Sequence, residues 1–209
     1  MKELASEAEK HHLIAGVLCL NFANTLYGHG ETPVHEYLAA YRDLTIWSRK
    51  AGVLADREAE FLIRKGAKHP GEALAVFHRA IALRETIYRI FRAIAHGEPP
   101  KPADLSALNS ARSEALAHSH IAQTGTRYAV DWDDQAALER MLWPIALSAA
   151  ELLTSASLSR VRQCGGCDWL FVDSSRNHLR RWCSMSACGN RAKARRFLER
   201  KRKLALRQR

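Results

Sequence analysis

Apolar positions recur along much of this chain with helical spacing, and the longest run organises the rest. Between residues 73 and 95, Phe77, Ile81, Arg84, Tyr88, Phe91 and Ala95 fall at alternating four- and three-residue steps, and Val76, Ala80, Leu83, Ile87, Ile90 and Ile94 form the adjoining stripe. Two neighbouring apolar stripes leave little polar face, so this helix belongs at the centre of a bundle. Gly97 and then Pro99-Pro100 close it. Shorter patterns predict helices over 12–26, ending near Gly28-His29-Gly30; over 32–50, with Thr32 as cap and Pro33 in the first position; over 56–64, capped by Asp56; over 102–117; and from Asp133 or Asp134 to about 155, with Pro144 as a kink. Residues 118–132 lose the helical period, and Gly125-Thr126 between Ile121-Ala122-Gln123 and Tyr128-Ala129-Val130 predicts a small β-hairpin.

Past residue 155 the pattern changes. Trp169-Leu170-Phe171-Val172 reads as a strand, Asp173 to Asn177 supplies turn residues, Arg180-Arg181-Trp182-Cys183 reads as the returning strand, and a last helix runs from Gly189 to about 207. The short polar stretch 155–163 separates a body, 1–158, from a tail, 159–209, that is held close to it. The fold class expected is a mainly α body with a small β-hairpin, followed, because Cys164, Cys167, Cys183 and Cys188 flank the tail's hairpin in two close pairs, by a treble-clef-like zinc finger made of a β-hairpin and a basic helix.

Composition adds little until it is located. The 209 residues are 47% hydrophobic and 26% charged, ordinary for a globular protein with a core of its own. The beginning carries acids and no long apolar segment, so a secretory signal is not expected and a cytoplasmic, reducing setting is. The net charge of +10 is unevenly placed. From Arg160 onward there are 15 lysines and arginines against Asp168, Asp173 and Glu199, a net of +12, which leaves −2 on the rest. A nearly neutral body with a strongly basic tail points to a polyanionic partner met by the tail.

Four of the five cysteines lie in that tail, as Cys164, Cys167, Cys183 and Cys188. Two closely spaced pairs with room for a hairpin between them make a four-thiolate zinc site, and Gly165-Gly166 permits the tight knuckle that aims two sulfurs at one point. Four thiolates leave no open coordination position, so Zn2+ here is structural. The competing readings are disulfides or a redox pair. His178 could replace one cysteine, but the shell is already full. Cys19, in an apolar stretch, reads as a buried inert thiol. His11, His12 and His29 read as surface or loop residues.

The last helix carries an apolar arc of Ala194, Phe197, Leu198, Leu204 and Ala205, expected to pack against Trp169, Phe171 or Trp182. Its remaining faces are basic, interrupted only by Glu199. Such one-signed faces fit nucleic acid, and arginine offers a planar fork for phosphates and guanine edges. Arg180, Arg181, Asn190, Arg191, Lys193, Arg195, Arg196 and Arg202 are the candidate contacts. Arg84, inside an apolar helix face, needs an anionic or carbonyl partner. It is either an internal pair or, with Asn24 and Asn21, an anchor for an anionic small molecule.

Cys183-Ser184-Met185-Ser186-Ala187-Cys188-Gly189-Asn190-Arg191, followed by Ala192-Lys193-Ala194-Arg195-Arg196, resembles the CGNR zinc finger, and Phe171 to Asn177 with Arg181-Trp182-Cys183 fits its pattern. Leu18-Cys19-Leu20-Asn21-Phe22-Ala23-Asn24-Thr25 and Leu83-Arg84-Glu85 resemble the motifs of the ABATE-type domain that accompanies it, although Asn21 stands where the family usually has an acid. The resemblance implies a bacterial transcription regulator described as stress-induced, with DNA bound by the finger and a ligand sensed by the body. The resulting expectation is a non-enzymatic, zinc-containing regulator that binds duplex DNA and is a candidate homodimer. An RNA-binding protein using the same basic module is the alternative, with Trp169 or Trp182 as stacking rings. No nucleophile triad, carboxylate pair or open metal pattern supports an enzyme.

Overall fold

The computed structural model describes residues 6–29 and 35–207. Its spine is α5, Pro70–Ala95, which buries Val76, Ala80, Leu83, Arg84, Ile87, Tyr88, Ile90 and Phe91. Pro70 sits in the first turn, where its missing N–H costs nothing. The helix ends in a Schellman turn: Glu98 N–H donates to Ala93 O at 2.9 Å and Gly97 N–H to Ile94 O at 3.0 Å, with Gly97 in the left-handed region at φ 76°. Around α5 pack α2 (Leu18–Ala23), α3 (Tyr41–Lys50), α4 (Asp56–Lys68), α6 (Pro102–Ala117) and α7 (Leu142–Thr154). A four-residue α1, Glu7–Lys10, lies on α3. Trp47 and Trp143 are the largest fully buried rings.

Several boundaries differ from the sequence expectation. The apolar run 12–26 is helical only over α2, because Asn21 spends its side-chain oxygen on the Ala15 N–H and so holds an extended approach to the helix. Thr32 and Pro33 lie outside the described residues. His35–Glu36 is a strand, β2, paired with β1 (Leu26–Tyr27), and α3 begins only at Tyr41, where Asp43 caps Ala40 N–H. The start of α4 is capped by Glu58, which accepts from Ala55 N–H at 2.6 Å. The last body helix starts at Leu142 rather than near 133, because Asp134 closes a turn on Ala136 N–H instead of capping a helix. Pro144 then falls in the first turn and makes no kink.

The hairpin β3 (Ser119–Thr124) and β4 (Arg127–Trp132) is present, with Ile121 opposite Val130. It is anchored at one end, where Trp132 and His118 pack on Trp143.

The tail is not an appendage. Its strands β5 (Val161–Gln163) and β6 (Leu170–Val172) pair antiparallel, and Val161, Leu170, Phe171 and Trp169 join one continuous core with the body. The joint is hydrogen-bonded: Val172 N–H donates to Ala15 O, His29 N–H to Asp168 Oδ2, and Tyr88 Oη–H to Asp168 O. Core and bonds therefore run across residue 158, where two units meet in the sequence reading. No described helix is long and apolar enough to cross a membrane.

Candidate metal centre and nucleic-acid interface

The knuckle forms at the tip of the β5–β6 hairpin. Cys164 N–H donates to Trp169 O at 2.9 Å, closing the loop, and Gly165 N–H donates to Arg181 O at 2.9 Å. A Cβ on Gly165 would meet the Trp182 ring at 3.2 Å, and one on Gly166 would meet both Trp182 and the Cys188 Cβ at 3.2 Å. The pair of glycines thus lets the indole and the second cysteine pair close over the knuckle. The expected returning strand at 180–183 is absent: β6 pairs with β5 instead. The segment after β6 is a turn tied down by Asp173, whose carboxylate accepts from Ser175 N–H and Arg180 N–H, both at 2.9 Å. Burial alone would raise that carboxyl's pKa, but the Ser175 and Arg180 hydrogen bonds outweigh it and the net direction is down.

The four sulfurs of Cys164, Cys167, Cys183 and Cys188 all lie within 4.8 Å of one another, and none is in a disulfide. Cys167 and Cys183 are 3.6 Å apart, Cys183 and Cys188 3.7 Å. A zinc tetrahedron with bonds of about 2.3 Å has edges of about 3.8 Å, so the donor set fits Zn2+. Backbone N–H groups of Gly166 and Cys183 point at Cys164 Sγ, at 3.4 and 3.2 Å, as they do around a thiolate. Without a cation the thiols oppose one another: Cys164 is pulled down by hydrogen bonds from Cys167 and Cys183, and the same contact with Cys164 pushes Cys167 up. Bound Zn2+ keeps all four ionised and holds the finger folded, which in small modules amounts to roughly 10–16 kcal/mol. His178 lies in an exposed turn outside this cluster.

A π-helical turn, Met185–Gly189, capped by the Ser184 hydroxyl, leads into α8, Asn190–Arg207. Among the described side chains, the expected packing of an apolar arc on the finger is not seen. Phe197 and Leu198 are exposed, with Lys201 Nζ 5.3 Å from the Phe197 ring centre, and Leu204 and Ala205 have no described side chains. Trp169 and Phe171, expected beneath that arc, are instead buried against the body, so α8 projects.

The candidate nucleic-acid contacts divide into two groups. Arg180 bonds Trp182 O and Cys183 O and lies over the Phe171 ring, so it braces the finger. Arg191 donates through Nη2 to Cys188 Sγ at 3.0 Å, and Asn190 donates to Ser186 O at 3.1 Å. Arg181, Lys193, Arg195, Arg196 and Arg202 are exposed. Arg181, Arg191, Arg195 and Arg196 converge around a groove of about 330 Å³ whose floor is Gly165-Gly166 and Trp182.

Asn24 and Arg84, the candidate ligand residues, are both buried and engaged within the chain. Asn24 is bonded to both backbone groups of Leu170. Arg84, 3% exposed, donates to Glu36 at 2.7 Å and to Glu85 at 3.0 Å. Sequence reasoning did not find the histidines' roles. His11 is fully buried, with Nδ1 accepting from Trp47 Nε1 and Nε2 donating to Asn24 O. His29 stacks on Tyr88 at 3.4 Å, and its Nδ1 lies 3.4 Å from Glu85. Nothing in the local pattern separates such histidines from loop residues.

These features define a helical protein with a structural four-cysteine zinc finger built into its core. The chain belongs to the ABATE family, described as "Putative stress-induced transcription regulator", whose model matches residues 16–156. Residues 160–201 match the CGNR zinc finger. No curated protein matches the chain.

Proposed function

We propose that this regulator binds duplex DNA through the knuckle groove and the first turns of α8, with the zinc centre holding the two in register. The observation that carries the reading is α8 itself. Between residues 193 and 202 it is exposed on every side, with six lysines and arginines against Glu199. Like charges at four-residue spacing, such as Arg191–Arg195 and Arg196–Arg200, cost about 0.2–0.5 kcal/mol each. A polyanion removes that cost. A single projecting helix also has the width of the major groove.

The RNA reading loses one of its stacking rings, since Trp169 is buried, while half-buried Trp182 lies beneath Arg181 at the floor of the groove. Trp182 and exposed Phe197 are the rings left to it. Competition between duplex DNA and a structured RNA for the zinc-loaded protein decides: the DNA reading requires that duplex displace RNA at equal nucleotide concentration. The family's regulatory character further supports a ligand response in the body, transmitted across the shared core.

A further inference from the structure

Body and finger enclose a half-open pocket of about 380 Å³, within the roughly 300–1,000 Å³ of small-molecule sites. The body contributes Tyr27 from β1 and Tyr37 just after β2. The finger contributes Trp169 on one side and Ser184, Ser186 and Arg191 on the other. The rings form a box. Tyr27 stands at 88° to Trp169 with centroids 6.5 Å apart, and Tyr37 is inclined at 55° and 6.4 Å. Arg191 gives one N–H to Cys188 Sγ and has others to offer.

Charge narrows the occupant. Zinc with four thiolates carries two negative charges, and Cys167, Cys183 and Cys188 line the pocket. An anion would sit beside that centre, and a cation would compete with Arg191 for Cys188. An uncharged flat ring meets neither penalty, stacks on tyrosine, and can supply acceptors to the remaining Arg191 N–H groups.

We propose that this junction pocket binds an uncharged planar heteroaromatic molecule bearing carbonyl or ring-nitrogen acceptors. The occupant rests on the body's tyrosines and touches the Ser184–Arg191 turn, which carries Cys188 and begins α8. It therefore acts at the root of the basic helix. This consequence for DNA rests on the regulator reading; the binding itself does not.

The test uses zinc-loaded full chain without DNA, titrated calorimetrically with theophylline and with lumazine. Indole serves as a ring without such acceptors. The expected result is saturable one-to-one binding of at least one heterocycle, with indole about tenfold weaker or more. Tyr27→Leu and Tyr37→Leu should each weaken binding about tenfold at unchanged zinc content. No saturable heat from either heterocycle, equal binding of indole, or full binding by both tyrosine variants overturns the proposal. Since DNA is absent, any of these leaves the DNA reading standing, and loss of DNA binding with intact probe binding would do the reverse.

Discussion

The side-chain amide of Asn24 clamps the backbone of Leu170: Nδ2 donates to Leu170 O at 2.8 Å and Oδ1 accepts from Leu170 N–H at 2.9 Å. The Asn24 side chain thus stands in for a strand partner to β6, in a fully buried site. Asn24→Ala leaves two buried backbone groups of the finger unpaired, a loss of about 2–4 kcal/mol. Urea unfolding followed by far-ultraviolet circular dichroism should show the midpoint fall with the transition still single.

The same joint changes what zinc removal does. Val161, Leu170 and Phe171 are core residues of body and finger alike. Chelation, or Cys183→Ser, should therefore lower the melting temperature of the helical body as well as unfold the finger. Differential scanning calorimetry is expected to give one endotherm that shifts, not a finger transition lost beside an unchanged body transition.

His11 makes the fold acid-sensitive. Burial pushes its pKa from 6.5 down to about 3, and its Nδ1 already faces the Trp47 indole N–H, so a second ring proton has no place. Between those values the unfolded chain binds a proton that the folded chain refuses. Stability is intact above pH 6.5 and falls on acidification, by up to about 1.4 kcal/mol per pH unit. His11→Asn should be less stable at pH 7 but show a flatter decline from pH 6.5 to 4 in denaturant titrations at each pH.

Arg84→Met tests the buried ion pair. Glu36 and Glu85 remain about a third exposed, at 35% and 31%, and can rehydrate when the guanidinium goes. The loss should therefore be smaller than the roughly 3–5 kcal/mol of a fully buried broken pair. Glu85 is raised by burial but held lower overall by His29 and Arg84, so its stabilisation is present above the ordinary 4.5 and lost as pH falls below it. That acid limb should be shallower in the variant.

The sequence made the metal centre legible because four thiolates in two close pairs flanking a hairpin converge on one point, and it made α5 legible because twelve positions agree on one period. It placed Arg84 in the interior for the same reason. What it could not show were pairings that depend on distant chain. β6 had a plausible partner at 180–183 and found β5 instead. Arg180 and Arg191 look like their basic neighbours, yet Arg180 is spent on backbone carbonyls of the finger and Arg191 gives a donor to Cys188. The arc of Phe197 and Leu198 matched a helical face, but two of the rings it was to cover, Trp169 and Phe171, had already been taken by the body.

The central claim is that exposed cations of the finger, ordered by zinc, meet DNA phosphates. It is tested most directly by measuring duplex affinity against salt for the zinc-loaded protein, its Arg195→Ala/Arg196→Ala double variant and the metal-free form. The account predicts a steep fall of log K with log salt in the native protein, a slope shallower by about two in the double variant at unchanged zinc content, and no measurable binding without zinc. A double variant with the native slope, or metal-free protein that binds duplex as tightly as the loaded form, would contradict it.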